Sequence, residues 1–328
     1  MVGGFRLHVL MCLTSALVTA GMPSVAQEAR WPSKPIRIIV PYAPGGAVDA
    51  TARILQEQLA EELGQTIIVD NKAGGATIPA SEALVRSAPD GYTIGVFGSA
   101  WAANASIQKN LTFDPIKDIT PISQLANSTT LLLVHPSSPY QTMAQLIAAA
   151  KAKPGELSYA STGVGTAQHF AAELFQHRAG IKMIHVPYRG AGPAVTDALG
   201  GQIPISFIGT GPTKPLVDTG KLRALAVTTD PRSKILPNVP TIAEQGLKDF
   251  NHGEWFCVIA PAGLQANITS ALHAAVTKIV RSPRFSERVA ALGAEAQASN
   301  TPDDFKKFVI SEIERLRQLV QEAKIEIQ

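Results

Sequence analysis

The segment Pro41–Asp49 combines residue types and spacing that suit anion binding. It follows an apolar run at 36–40, contains Gly45 and Gly46, and leads into a helical pattern at 48–63. A helix that begins directly after small residues presents unpaired backbone N–H groups at the positive end of its dipole, and such groups bind anions. The segment lacks the third glycine of a dinucleotide fingerprint and the lysine of a Walker motif, which argues against a nucleotide.

Two questions about this segment stay open at the level of sequence. The whole segment is also compatible with an ordinary tight connection between a strand and a helix. Asp49 either caps the helix or binds a hydroxyl or ammonium group of a ligand.

Four further segments of small residues also follow apolar runs and share this arrangement. The clearest is 161–166, where Ser161, Thr162, Gly163, Gly165 and Thr166 open a helix that carries His169 one turn later. Hydroxyl donors beside free N–H groups suit a carboxylate. The other three segments are Gly98–Trp101 with Ser99, Val186–Pro193 with Arg189, and Ile208–Pro212 with Thr210.

Individual side chains in these segments have alternative interpretations. Arg189 either clamps a carboxylate with its planar guanidinium or forms a surface ion pair. Trp101 either forms an apolar wall of the site or packs between elements. Ser161 with His169 resembles a catalytic pair, but no Gly-x-Ser-x-Gly turn presents the serine. The seven histidines lack metal-ligand spacing, so no metal and no cofactor are expected.

The chain begins with features of an export signal. Arg6 precedes an apolar run at 7–20, and Ser24-Val25-Ala26 forms a small-x-small cleavage site after Ala26. The alternative of a membrane anchor is disfavoured because the run is short for a membrane span. Residues 1–26 are therefore predicted to be a signal peptide. Its removal takes away Cys12 and leaves Cys257, in an apolar run, as a buried thiol without a disulfide partner.

Composition and periodicity indicate an α/β fold. The formal net charge is +3, from 29 Lys and Arg against 26 Asp and Glu, which argues against a nucleic-acid partner. Apolar runs alternate with helical patterns, as in βαβ units with a parallel sheet. The stretches 119–128 and 246–253 interrupt this alternation, so they are the predicted crossings between two lobes. Residues 27–127 plus 251–328 would form lobe 1, and residues 128–250 would form lobe 2.

The element boundaries follow from the same patterns. Strands are predicted at 36–40, 66–70, 93–97, 130–134, 157–160, 183–186, 203–207, 222–227 and 255–260. Helices are predicted at 48–63, 77–87, 142–152, 166–178, 192–199, 266–281, 285–292 and 302–323.

Over nearly all of the mature chain, the motifs in order resemble the Bug-type periplasmic solute receptors of tripartite tricarboxylate transporters. The motifs that carry the resemblance are Trp31–Arg37, Pro41–Gly46 with Asp49, Ala88–Thr93, Gly163–His169, Val186–Gly190, Leu199–Gln202 and Ala260–Gly263. The resemblance implies a type II-like periplasmic binding protein with two α/β lobes and a cleft that closes on a carboxylate or dicarboxylate. It also implies that the protein is a monomer.

The resemblance also assigns ligand contacts by position. In lobe 1 these are Tyr42, Gly45, Gly46 and Ser99, to which the sequence adds Asp49. In lobe 2 they are Ser161, Thr162, Gly165, Thr166, His169, Arg189 and Thr210. Two positions depart from the family pattern. Tyr42 replaces a common Phe and adds a hydroxyl, and Pro204 replaces a common acidic residue, which puts an acidic contact from that strand in doubt.

The resulting prediction is a periplasmic solute-binding protein rather than an enzyme. It would capture a small organic acid anion and deliver it to the membrane subunits of the transporter, with no nucleic-acid partner. One alternative is a receptor that signals to a membrane sensor. A secreted serine hydrolase using Ser161 and His169 is a further, less favoured alternative.

Overall fold

The protein is described here by a computed structural model that covers Met1 and residues 31–74, 77–107 and 111–322. The predicted signal peptide, with its cleavage site and Cys12, lies outside the described residues apart from Met1. Within the described ranges, none of the helices combines the length and the apolar composition that crossing a membrane requires.

Strands and helices alternate along most of the chain. The strands are β1 (Ile36–Val40), β2 (Ile67–Asn71), β3 (Thr93–Gly98), β4 (Ile119–Val134), β5 (Ser158–Ser161), β6 (Ile184–Pro187), β7 (Ile205–Gly209), β8 (Arg223–Val227), β9 (Gly253–Pro261) and β10 (Ala294–Ala296). The helices are α1 (Ala47–Leu63), α2 (Ile78–Val85), α3 (Ala100–Ile107), α4 (Met143–Ala152), α5 (Ala167–Ala179), α6 (Ala191–Leu199), α7 (Thr210–Asp218), α8 (Ala266–Val280), α9 (Pro283–Ala291) and α10 (Pro302–Glu322).

The strands hydrogen-bond in the order β2-β1-β3-β9-β4-β7-β5-β6, and β8 and β10 pair with β4 outside this path. We call β2, β1, β3, β9 and β10 with the first part of β4 the first half-sheet. The second half-sheet consists of β7, β5, β6 and β8 with the last part of β4. Strands β1, β2 and β3 are mutually parallel, as are β5, β6 and β7.

The sequence prediction of a parallel sheet is wrong for the centre of the molecule. Strand β9 runs antiparallel to both β3 and β4, and β4 runs antiparallel to β7 and β8. The crossing between lobes predicted at 119–128 stays a prediction, but these residues, which the predicted strands left out, form the first part of the 16-residue strand β4. Its polar residues, including Ser123, Gln124 and Asn127, obscured the apolar pattern of this buried strand.

Each half-sheet is covered by helices that bury an apolar stripe. In α1 the residues Val48, Ala52, Leu55 and Leu59 recur at helical spacing and pack on Ile38 of β1. In the second half-sheet, Phe170 and Phe175 of α5 pack on Phe207 of β7. Burying one such side chain stabilises the folded state by roughly 1.5–3 kcal/mol. These contacts therefore fix where the first turn of each helix lies relative to the sheet.

The five small-residue segments all lie at carboxyl ends of parallel strands. They follow β1, β3, β5, β6 and β7 and lead directly into α1, α3, α5, α6 and α7. The predictions for the helices included neither α3 nor α7, and the short strand β10 was also absent. Because parallel strands end at the same edge of a sheet, the segments of each half-sheet gather at one edge.

Candidate functional site

The loop between β1 and α1 is shaped by the buried carboxylate of Asp49. Its Oδ2 accepts hydrogen bonds from the Gly45 N–H at 2.9 Å and from Arg53 Nε at 3.0 Å. Its Oδ1 accepts one from Asn71 Nδ2 at 2.8 Å. The Asp49 side chain is 2% exposed. The sequence left open whether Asp49 caps the helix or binds a ligand. In the structure its carboxylate is bonded to its own loop and to the neighbouring side chains of Arg53 and Asn71.

Three of the helices that follow the small-residue segments begin at a glycine, which has no side chain to cap them. Gly46 is the N-cap of α1, Gly190 of α6 and Gly209 of α7. The first N–H groups of a helix have no partner within the helix. Each of these helices therefore offers N–H donors at the positive end of its dipole. At α1 these donors lie beside the exposed residues of the loop that precedes the helix.

The segment before α5 is organised differently, since its hydroxyl groups are engaged. Thr166 caps α5 by accepting the His169 N–H at 3.3 Å, and it donates to the Gly163 carbonyl at 2.7 Å. Thr162 donates to Gln168 Oε1 at 2.9 Å. Ser161 is fully buried and exchanges hydrogen bonds with the backbone of Gly163. These bonds hold the loop in one conformation.

Two stacked imidazoles lie beneath this segment. The ring centroids of His169 and His185 are 4.3 Å apart and the ring planes are nearly parallel, and His185 stacks in turn on Tyr159. The Gly165 N–H donates to His169 Nδ1 at 3.3 Å, and His185 Nε2 shares a 2.7 Å hydrogen bond with Ser161 Oγ. Burial lowers the pKa of each imidazole to about 4, with His185 adding to the effect at His169. Both rings are therefore neutral near pH 7.

Where the two half-sheets meet, several buried hydroxyls have no hydrogen-bond partner among the described residues. These are Tyr42 Oη at the end of β1, Ser99 Oγ after β3 and Thr130 Oγ1 in β4. Burial raises the pKa of Tyr42 well above its ordinary value, so its hydroxyl stays protonated. Buried polar groups are nearly always satisfied by protein, water or ligand. We call the region around the hydroxyls of Tyr42, Ser99 and Thr130 the floor.

Glu254 of β9 also lies at the floor. Its Oε1 and Tyr42 Oη lie 3.5 and 3.3 Å from the point that a Cβ atom on Gly98 would occupy. Burial raises the pKa of the Glu254 carboxyl to about 7, and the side-chain amide of Gln168 limits the rise. Since Gln168 belongs to α5 and Tyr42 to the first half-sheet, Glu254 connects polar groups of both halves.

The remaining predicted residues occupy different surroundings. Thr210 is fully buried, and its hydroxyl donates to the Thr129 carbonyl at 2.9 Å. Arg189 is exposed beside the start of α6 and forms no ion pair within the residues that the structure describes. Trp101 is buried and packs edge-on against Phe97, so of its two interpretations the structure favours packing. Cys257 is buried and free, as predicted.

Sequence reasoning missed Glu254, Gln168 and Thr130. Glu254 precedes the apolar run of β9, and Gln168 was quoted within a motif without being assigned a role. The local signal was an isolated carboxylate at the start of a buried strand. Its position could not be interpreted without knowing that β9 lies between β3 and β4.

The arrangement around Ser161 does not form the suspected catalytic pair. Ser161 Oγ bonds His185 rather than His169, and the serine has no exposed surface. In the part of the chain that is described, no group of three or more His, Cys, Asp or Glu side chains is placed to hold a metal ion.

The fold and the five glycine-containing segments define an α/β periplasmic binding protein with two lobes. Over residues 51–325 the chain matches the family described as "Tripartite tricarboxylate transporter family receptor". It belongs to this family, whose members are periplasmic solute-binding receptors rather than enzymes. This confirms the resemblance noted in the sequence.

Several relatives align along almost their full length. Protein BugT of Bordetella pertussis (strain Tohama I) is 34% identical over 308 residues, which cover 93% of this chain and 94% of BugT. A structure from R. palustris with adipate is 32% identical, with a TM-score of 0.80 and coverage of 90% of this chain and 98% of its own. MatC from Rhodopseudomonas palustris, with bound malate, is 28% identical, with a TM-score of 0.77 and coverage of 88% and 100%.

Proposed function

We propose that this protein is a periplasmic receptor that captures a small organic acid anion and delivers it to the membrane subunits of a tripartite tricarboxylate transporter. The observation that carries the proposal is the set of glycine N-caps on α1, α6 and α7. Because glycine cannot cap a helix with a side chain, these helices present N–H groups without an N-cap hydroxyl or carboxylate at the carboxyl ends of strands in both half-sheets. The relatives solved with adipate and malate, both dicarboxylates, support this ligand class.

The proposed ligand contacts lie on both sides of the floor. Tyr42, Ser99 and the N–H groups at the Gly46 cap donate from the first half-sheet, and Arg189 with the N–H groups at the Gly190 and Gly209 caps donates from the second. Gly45, Thr162 and Gly165 border the acid without donating to it, because the Gly45 N–H, the Thr162 hydroxyl and the Gly165 N–H are bonded to Asp49, Gln168 and His169. Ser161, Thr166, His169 and Thr210 hold the loops that surround the acid. Asp49 holds the loop before α1 through its bonds to Gly45, Asn71 and Arg53. Nearly all donors in this set are uncharged, and hydrogen bonds from neutral donors in a cleft suffice to bind a carboxylate.

The proposed lobes are residues 27–127 with 251–328, and residues 128–250. The two half-sheets support this division, because the first part of β4 and β9 belong to the first, while the last part of β4 and the segment from β5 to β8 belong to the second. The proposal includes export with cleavage after Ala26, which would take this protein to the periplasm, where the members of its family act. Closure of the lobes on the acid would be a population shift driven by tighter binding to the closed state.

A single substitution at the α1 cap tests the anion site. Gly46→Asp is compatible with the backbone, since Gly46 has φ −76° and open space around its Cβ position. The new carboxylate would cap α1 and place a negative charge where the acid binds. We expect calorimetric titration of the 27–328 protein with a panel of mono-, di- and tricarboxylates to detect binding, and Gly46→Asp to weaken it by at least about tenfold.

The matched control is Gln265→Asp. Gln265 is the N-cap of α8 and also lacks a side-chain hydrogen bond, but α8 follows the carboxyl end of the antiparallel strand β9. It therefore starts at the opposite edge of the sheet, and Gln265→Asp should leave affinity unchanged. Equal affinities in the two variants would contradict the assignment of the anion site.

A further inference from the structure

Glu254 occupies a central place in the sheet. Strand β9 lies between β3 and β4, and Glu254 pairs with Ser128 of β4 while Phe256 pairs with Gly98 of β3. Its side chain lies on the same face of β9 as Phe256 and Val258, which pack beneath α1. This face leads to the end of β1 and the start of α1, where the proposed acid binds.

The immediate neighbours of the Glu254 carboxyl are neutral. Tyr42 Oη approaches it from the first half-sheet, beside the space left by the absent side chain of Gly98. The Gln168 amide approaches from α5, with its Oε1 already accepting a bond from Thr162. Ser128, the pairing partner in β4, donates its hydroxyl to the Gly293 carbonyl.

On three of the surrounding helices, charged groups are engaged with other partners. On α1, Arg53 is paired with Asp49. On α10, Arg315 is paired with Glu312. On α5, Glu173 accepts the Tyr159 hydroxyl.

The histidines near these elements face other groups: His169 stacks on His185, and His252 Nδ1 lies beside Arg315. Among the described residues, Glu254 therefore has no ion-pair partner. Glu254 as a residue is partly exposed, and its carboxyl borders the space beside Gly98, next to Tyr42 and Val48 at the start of α1.

We propose that Glu254 is a specificity-determining residue that accepts a hydrogen bond from a hydroxyl or ammonium group of the bound acid. This inference rests on the proposed function and narrows its substrate class to hydroxy- or amino-substituted carboxylic acids. A carboxylate with few donors around it gains from a ligand donor, and a hydrogen bond to a charged group is among the stronger ones. A second carboxylate at the floor would instead face a like charge. The raised pKa of Glu254 agrees with a carboxyl that has few donors of its own.

The test compares acids that differ in one substituent. Succinate, malate and aspartate form one set, and glutarate, 2-hydroxyglutarate and glutamate form a second set. Propanoate, lactate and alanine form a third set, in which the second carboxylate is absent. Each is titrated calorimetrically at pH 8 into the 27–328 protein and its Glu254→Gln and Glu254→Leu variants. Glu173→Gln is the matched control, because it removes a buried carboxyl that faces Tyr159 rather than the floor.

In the unmodified protein, the hydroxy or amino acid of at least one set should bind at least about tenfold more tightly than its unsubstituted partner. Glu254→Gln should weaken binding of the amino acid by at least about tenfold and strengthen binding of the unsubstituted dicarboxylate, since the amide carries no charge. Glu254→Leu should also lose the preference for the hydroxy acid. Glu173→Gln should keep the original order.

The contrary outcomes separate this inference from the function on which it rests. If the unmodified protein binds an acid but Glu254→Gln and Glu254→Leu keep its order of preference, Glu254 does not determine specificity and the receptor function stands. If neither the unmodified protein nor any variant binds an acid from these sets or from the wider carboxylate panel, both proposals are wrong. Thermal melting of each variant confirms that differences in binding arise in folded protein.

Discussion

At the scale of single residues, the site depends on which polar groups are already satisfied. Asp49 is bonded to Gly45, Asn71 and Arg53, whereas the buried hydroxyls of Tyr42 and Ser99 have no partner in the described part of the chain. The first residue shapes the loop, and the other two remain available to a ligand or a water molecule. Residue types alone do not separate these roles, since Asp49 was as plausible a contact as Ser99 from the sequence.

Replacing Asp49 by Asn tests its role in holding the loop. The change weakens the bonds from Gly45 and Arg53, so the free energy of unfolding should fall by about 1–3 kcal/mol at pH 7. Arg53→Gln is the comparison, because Arg53 is half-exposed and its loss should cost less than about 1 kcal/mol. Urea denaturation measures the free energy of unfolding of both variants. A smaller loss for Asp49→Asn than for Arg53→Gln would contradict this account.

The same carboxylate contributes to the pH dependence of stability. Burial alone would raise the pKa of Asp49, but the bonds from Arg53, Gly45 and Asn71 outweigh it and hold the pKa below its ordinary value. The stabilisation is therefore present at neutral pH and is lost as the pH falls below about 4, where the unfolded chain takes up the proton. Asp49→Asn should lose less stability between pH 7 and pH 3 than the unmodified protein.

At the scale of elements, α5 differs from the other helices at this edge because a side chain caps it. Thr166 accepts the His169 N–H, and the same geometry recurs at α4, where Thr142 accepts the Gln145 N–H at 3.2 Å. The two caps are chemically equivalent, but only that of α5 borders the proposed site. They therefore separate the effect of capping from the effect of loop geometry.

Thr166→Ala and Thr142→Ala should each lower the free energy of unfolding by about 1 kcal/mol, the usual cost of losing an N-cap hydroxyl. Only Thr166→Ala should weaken acid binding, because it also releases the Gly163 carbonyl and with it the loop around Gly165. Thermal melting and calorimetric titration of the two variants check this. Equal affinities would show that the Thr166 loop does not contribute to the site.

The sequence predicted most elements because their patterns are local. Helices such as α1 and α5 carry apolar residues at helical spacing, and their ends are marked by Gly64 and Thr166. In contrast, β4 begins with a polar stretch whose strand conformation depends on pairing with β9, and α3 lacks an amphipathic pattern. The contact between Glu254 and the end of β1 depends on strand order, which a single sequence does not encode locally.

At the scale of the whole molecule, the proposed site draws on both half-sheets. Tyr42 and Gly46 belong to the first, while Gly190 and Gly209 belong to the second, and Glu254 lies between polar groups of both. An acid that bridges them ties the two halves together. A membrane partner that contacts both halves can distinguish the loaded from the empty receptor, because the bound acid changes how the halves are arranged.

Crosslinking in membranes tests delivery. With a bound acid present, the receptor should crosslink to the membrane subunits of a tripartite tricarboxylate transporter more strongly than without it, because the ligand favours the arrangement that the partner recognises. Gly46→Asp, which should not bind the acid, is the control and should give the same low yield in both conditions. Crosslinks confined to a membrane sensor would instead establish the signalling alternative.

The continuity of β4 has a mechanical consequence. This strand pairs with β9 and β10 in one half and with β7 and β8 in the other, and its register shifts between Pro121 and Ser123, between Gln124 and Ala126, and between Leu132 and Leu133. A movement of the halves must bend a hydrogen-bonded strand rather than rotate about free loops. The irregular points are where such bending disturbs the fewest ladder bonds. If the halves move relative to each other, the energy of bending β4 therefore opposes the movement.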